Sequence, residues 1–147
     1  MDNVEDYNNL MLSMDFWKRI LEGTEHVLIF QSDTILCRNG IDEFLNYDFI
    51  GARIEGERVM NGGLSLRKTQ FCINTLSQHV PGEYENEDIF FSRHVRNFPS
   101  DNVMDSFSIE KCHTNTIPLG LHKTYVHNER IAQNIFLTCK KNISYYT

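Results

Sequence analysis

The stretch VLIFQSDTILCRNG, from Val27 to Gly40, decides the reading of the fold. Its first four residues, Val27, Leu28, Ile29 and Phe30, form a short β-branched and aromatic run that reads as a strand buried on both faces. Asp33 stands just beyond the carboxyl end of that strand, where a polar loop begins. In open α/β sheets ligands collect at such ends, because the backbone stops pairing there and loops present charged groups to a crevice. Asp33 is therefore a candidate metal- or phosphate-handling residue. Its structural alternative is to accept backbone hydrogen bonds from the following turn.

The flanking segments supply the rest of the architecture. Upstream, Tyr7, Leu10, Met11, Met14, Trp17 and Leu21 recur at three- and four-residue steps, which describes one amphipathic helix closed by Gly23. Downstream, IDEFLN reads as a short helix and YDFIGA as a second strand ending at Gly51. ARIEGERVMNGG is a polar loop leading into a strand, LSLR. RKTQFCINTLSQHV is a helix stopped by Pro81-Gly82, and ENEDIFFSRHVRNF is another whose acidic first turn suits the helix dipole. SDNVMDSFSIE reads as a short helix capped by Ser100 with residues 108–110 extended, IPLGLHK as a strand-to-turn element, and TYVHNERIAQNIFLTCK as a last amphipathic helix. Strands alternating with helices predict an α/β fold, a mixed sheet flanked by helices.

The 147 residues favour a single domain over 1–147, with 41% hydrophobic and 12% aromatic residues enough for one core. A formal net charge of -6 argues against nucleic-acid binding, which is built mainly from Lys and Arg neutralising phosphates. No run approaches the roughly 20 apolar residues of a membrane helix. The start, MDNVEDYNNL, is acidic rather than a basic leader, so the expectation is a soluble, cytoplasmic chain. Cys37, Cys72, Cys112 and Cys139 are widely spaced without a C-x-x-C pair, and read as four buried thiols in a reducing compartment. Cys112-His113 is too small a pair to define a metal site, and Asn142-Ile143-Ser144 without a secretory signal reads as a chance glycosylation match. Nothing in the sequence sets the oligomeric state.

Beside Asp33, three further stretches carry chemistry. Asn61-Gly62-Gly63 combines positions able to reach positive φ with an amide, so that backbone can approach a ligand; its structural alternative is a turn into LSLR. Arg67 and Lys68 follow, placed either to meet a phosphate or to lie in solvent. Glu87-Asp88 opens a helix behind a Pro-Gly break, and such a pair can divide labour, one carboxylate holding a substrate hydroxyl while the other takes its proton. His122-Lys123 follows Gly120, where an imidazole can ligate a metal and an ammonium can neutralise phosphate. A phosphatase-like reading of IFQSDT is disfavoured, because the second aspartate that chemistry wants two residues later is Ile35.

Taken in order, DYNNLMLSMDFWKRI, VLIFQSDTILCRNGIDEFLNYDFIGA, NGGLSLRK, NEDIFFSR, FSIE and PLGLHK resemble a family of glycosyltransferase-like domains with a GT-A type, Rossmann-like fold. The resemblance implies a metal-dependent transfer of a sugar from a nucleotide-sugar donor to a hydroxyl acceptor. QSD would occupy the place of the D-x-D motif, with Gln31 beside the donor and Asp33 holding Mn²⁺ or Mg²⁺ against its pyrophosphate. His122 looks like the late histidine ligand, with Lys123 near the phosphates. Asp88 would be the base and Glu87 would bind the acceptor, while Asn61, Gly62 and Gly63 line the cleft. QSD lacks the leading acid of D-x-D, and GARI and HKTY stand where the family usually has G-A-P-W and H-K-P-W, with Tyr125 a substitute aromatic. The resemblance also implies β-α-β units upstream of Met1 that bind the nucleotide, so that this chain corresponds to the C-terminal catalytic part of a truncated GT-A-like fold. The alternative is a non-catalytic module that keeps the fold for packing or partner binding.

Overall fold

The computed structural model describes residues 4–111, 116–123, 137–139 and 141. Two short helices open it, α1 (Val4–Met11) and α2 (Met14–Leu21), where the apolar spacing predicts one. Ser13 causes the break. Its backbone is extended and its hydroxyl accepts a hydrogen bond from Phe16 N at 3.3 Å, an N-cap that starts α2 afresh. The Trp17 indole N–H donates to the Met11 carbonyl at 2.7 Å, satisfying the end of α1 and the buried indole together.

Strand β1 (His26–Phe30) follows, then β2 (Ile35–Leu36), a 3₁₀ turn over Ile41–Phe44, β3 (Phe49–Arg53) and β4 (Met60–Lys68). Helices α3 (Thr69–Gln78), α4 (Glu87–His94) and α5 (Asp101–Phe107) lead to β5 (Ser108–Ile109) and β6 (Gly120–Leu121). The α/β class holds. The main sheet has the order β1-β4-β3 and is antiparallel throughout. A second sheet has the order β2-β6-β5, with β6 antiparallel to β2 and parallel to β5.

Side chains alternating along β3 and β4 feed two cores. Phe49 and Met60 join Trp17, Cys72, Phe90 and Phe91 on one face, and Ile50, Leu64 and Leu66 join Phe44, Phe107 and Leu119 on the other. β1 touches both cores, through Val27 and Ile29 on one side and Leu28 on the other. It is nevertheless only half-buried, with Phe30 66% exposed, and the expectation of a strand buried on both faces fails. The reason is position: among the described residues β1 pairs with β4 alone, so no strand there covers its other flank.

The second strand runs past Gly51 to Arg53, and Asn61-Gly62-Gly63 lies inside β4 rather than in a turn before it. Gly51 pairs with Ser65 but Ala52 with Asn61, so residues 62–64 bulge out of the β3–β4 ladder. Cys37 and Cys139 are joined in a disulfide, which corrects the expectation of four thiols. Cys72 is free and buried as expected, burial pushing its thiol up to about 12. Cys112-His113, Tyr125, Asn142 and most of the last expected helix lie outside the described residues. Among the described residues no helix is long and apolar enough to cross a membrane.

Candidate functional site

β1 ends where Gln31 N donates to the Gly63 carbonyl at 2.9 Å, and Thr34 N then donates to the Gln31 carbonyl at 3.0 Å. That turn carries Asp33 over β6. β5 and β6 run parallel, and His122 N donates to the Ile109 carbonyl at 3.0 Å, so Glu110 and His122 leave adjacent strands side by side. The result is a cluster around the His122 ring, which is 1% exposed. Its Nε2 lies 3.0 Å from Gln31 Oε1 and 3.5 Å from Asp33 Oδ1, and its Nδ1 lies 3.7 Å from Glu110 Oε2. Lys123 holds a left-handed backbone, φ 53°, and its Nζ donates to Glu110 Oε1 at 2.6 Å. Burial pushes the Glu110 carboxyl up, but the His122 ring beside it and the hydrogen-bonded Lys123 ammonium outweigh it and bring the carboxyl down to about 2.

The β4 bulge forms the other wall. Gly63 faces the His122 ring so closely that a Cβ there would fall on ring atoms Cε1 and Nε2. Gly62 faces Glu87 in the same way. Neither glycine has positive φ; what the bulge needs from them is the missing side chain. Behind Gly62, Arg67 is fully buried between the rings of Phe49 and Phe91, with its NH1 2.5 Å from Glu87 Oε2 and its Nε donating to Ser65 Oγ at 3.0 Å. Tyr7 on α1 donates its hydroxyl to the Gly62 carbonyl at 3.4 Å, and its acidity is lowered first by burial and then by Glu87. Asp88 accepts from the Gly62 and Ile89 backbone N–H groups, yet burial, and next the Glu87 charge, push its carboxyl above the usual range.

Residues 1–122 match the family described as "Protein of unknown function (DUF5672)". The chain belongs to that family. No curated protein and no solved structure matches it.

In this DUF5672 chain the candidate residues divide into two groups joined at the bulge. Gln31, Asp33, His122 and Lys123 meet on one side of Gly63, and Glu87 and Asp88 meet on the other side of Gly62. Asn61 turns its side chain back to accept from Gly63 N at 2.9 Å, which fixes the bulge. Among the described residues the buried Asp33 Oδ1 meets no hydrogen-bond partner, so that oxygen does not cap the turn. Glu87 is 2% exposed and its carboxylate is committed to Arg67. Arg67, expected at a phosphate or in solvent, is neither: strand alternation points it inward to Glu87.

Two members of the site carry no sequence signal strong enough to single them out: Glu110 and Tyr7. FSIE ends in Glu110, but only the parallel pairing of β5 with β6 sets it beside His122 and Lys123. Among the described residues no group of three His, Cys, Asp or Glu side chains is arranged to hold a metal ion. The pair Asp33–His122 fits a divalent cation in one respect: Asp33 Oδ1, with no hydrogen-bond partner among the described residues, faces His122 Nε2, which Gln31 Oε1 also meets.

Proposed function

We propose that this chain carries the catalytic half of a metal-dependent, GT-A-like glycosyltransferase, which moves a sugar from a nucleotide-sugar donor to a hydroxyl. One observation supports the reading above the rest: the adjacent glycines of the β4 bulge bring the Gln31–Asp33–His122 cluster and the Glu87–Asp88 pair onto one segment of backbone. Phosphate handling and proton removal are thereby set on either side of a position where only backbone intrudes.

Asp33 and His122 would hold Mn²⁺ or Mg²⁺, whose charge would offset that of the leaving diphosphate. Lys123, fixed by Glu110, keeps an ammonium beside the same point. Glu110 faces the Nδ1 edge of His122 and leaves Nε2 turned to Asp33. On the other side Asp88 takes the proton of the acceptor hydroxyl as the new oxygen–carbon bond forms and the bond from the anomeric carbon to the diphosphate breaks. A carboxylate raised above its ordinary range is the better base at neutral pH. Glu87, sealed against Arg67, holds Gly62 and the start of α4 in place.

Mn²⁺-dependent release of nucleoside diphosphate from a panel of UDP- and GDP-sugars tests the reading. Asp88→Asn is expected to lower turnover by about 10²–10⁴-fold while donor binding survives, and Asp33→Asn to lose the metal dependence. Absence of donor binding at millimolar concentration by calorimetry would overturn the proposal. It would favour the competing reading, a non-catalytic module that keeps the fold for packing or partner binding.

A further inference from the structure

At the end of β4 remote from Gly63, a cavity of about 490 Å³ lies between α3 and α4. Five residues of strand, about 17 Å, separate Lys68 at its rim from Gly63. Lys68, His79, Arg93, His94 and Arg96 line it, against one carboxylate, Asp48. Such a concentration of cations is out of keeping with a chain of net charge -6.

Part of that charge has an internal use. α3 and α4 both end at this cavity, and His79 and His94 stand at those ends, where basic groups complement the helix dipoles. Arg93 is paired with Glu85. Lys68 is the N-cap residue of α3, where a cation opposes the helix dipole, and Arg96 follows the Val95 C-cap of α4; neither has a carboxylate partner among the described residues. The His79 and His94 rings stack with centroids 3.9 Å apart and planes 18° from parallel, which sets two imidazole edges side by side at the cavity wall. Gln70 and Asn74, bonded to each other at 2.8 Å, add amide groups.

We propose that this cavity is a second binding site, for a small phosphate monoester such as a sugar phosphate, held by Lys68, Arg96 and the stacked pair His79–His94. The volume suits a ligand of that size. A phosphate monoester carries negative charge that Lys68 and Arg96 would neutralise, with the stacked imidazole edges as further hydrogen-bonding groups. Binding is proton-linked. Burial holds the His94 ring below its ordinary range, and His79 and Arg93 add to that, with Glu85 opposing; Asp48, Lys68 and Arg96 face the same space. A dianion arriving beside the His94 ring favours its imidazolium form, so binding draws a proton onto that ring. None of these residues belongs to the sugar-transfer site, so the two proposals fail separately.

The test is NMR titration of the imidazole signals with inorganic phosphate and with glucose 1-phosphate, against chloride at matched ionic strength. Both phosphates are expected to displace the His79 and His94 signals saturably, the His94 ring moving towards its imidazolium signature. Lys68→Gln, at a half-buried position, and Arg96→Gln, at an exposed one, should each weaken binding about tenfold, equivalent to about 1.4 kcal/mol. Asp33→Asn should leave it unchanged. Displacement by chloride alike, no saturation, or wild-type affinity in both glutamine variants would overturn the site.

Discussion

Gly63 and His122 occupy the same space by a division of volume: one gives up its side chain so that the other can be buried under backbone. The His122 ring is held by contacts on both edges, to Gln31 and Asp33 at Nε2 and to Glu110 at Nδ1. Gly63→Ala is therefore expected to cost about 1–3 kcal/mol through overpacking alone, since the φ of Gly63 suits any residue. Urea denaturation measures it, and an unchanged midpoint would mean that the ring moves aside. Glu110 makes a separate prediction in pH. Its folded carboxyl titrates at about 2 against an ordinary value of 4.5. The unfolded chain binds more protons between those values, so the stabilisation is complete above about 4.5 and is lost as pH falls towards about 2. Glu110→Gln should flatten the acid limb of a stability–pH curve; an equally steep limb in the variant would assign the slope to other groups.

At the scale of elements, β1 shows what hydrophobic pattern resolves and what it does not. VLIF marks the strand correctly, because β-branched and aromatic residues fit a pleated surface in any position. Whether the strand is central or at an edge depends on which segments pair with it, and that is long-range information absent from four residues. The register settles it: Thr69 N donates to the Glu25 carbonyl and Gln31 N to the Gly63 carbonyl, so Val27 and Ile29 bond to β4. His26, Leu28 and Phe30 turn their amides the other way, where no hydrogen-bond partner meets them among the described residues. Hydrogen exchange should accordingly alternate, slow at Val27 and Ile29 and fast at Leu28 and Phe30; uniform protection would reveal a partner on that flank. The NGG motif was legible as a place of close backbone approach, yet its setting was not. A bulge is defined by the partner strand, and Gly51, whose own Cβ would meet the Asn61 carbonyl, is a partner no local pattern names. The site was likewise half legible. Asp33 and His122 stand out by residue type at element ends, whereas Glu110 and Tyr7 acquire meaning only from the pairing of β5 with β6 and the docking of α1 on Gly62.

For the whole molecule the Cys37–Cys139 disulfide is the longest covalent link, closing a loop with a sequence separation of 102 residues. Widely spaced cysteines gave no hint of it, because pairing across that separation follows from the tertiary fold alone. Constraining so long a loop in the unfolded chain stabilises the native state by about 4–5 kcal/mol on the chain-entropy account. That is a large share of the roughly 5–15 kcal/mol typical of a domain. The bond also lies close to the candidate site. Cys37 N donates to the Leu119 carbonyl at 2.7 Å, and Cys37 and Cys139 pack with Ile109 and Leu121, the residues that precede Glu110 and His122. Reduction by dithiothreitol, or the double replacement Cys37→Ser and Cys139→Ser, should therefore lower the urea midpoint and loosen the β2-β6-β5 sheet before the β1-β4-β3 sheet. Exchange at the His122 amide, which donates to the Ile109 carbonyl, is expected to accelerate more on reduction than exchange at Leu66 in the main sheet. Equal acceleration at both amides would instead show that the link stabilises the chain as one cooperative unit, with no preference for the strands that carry the site.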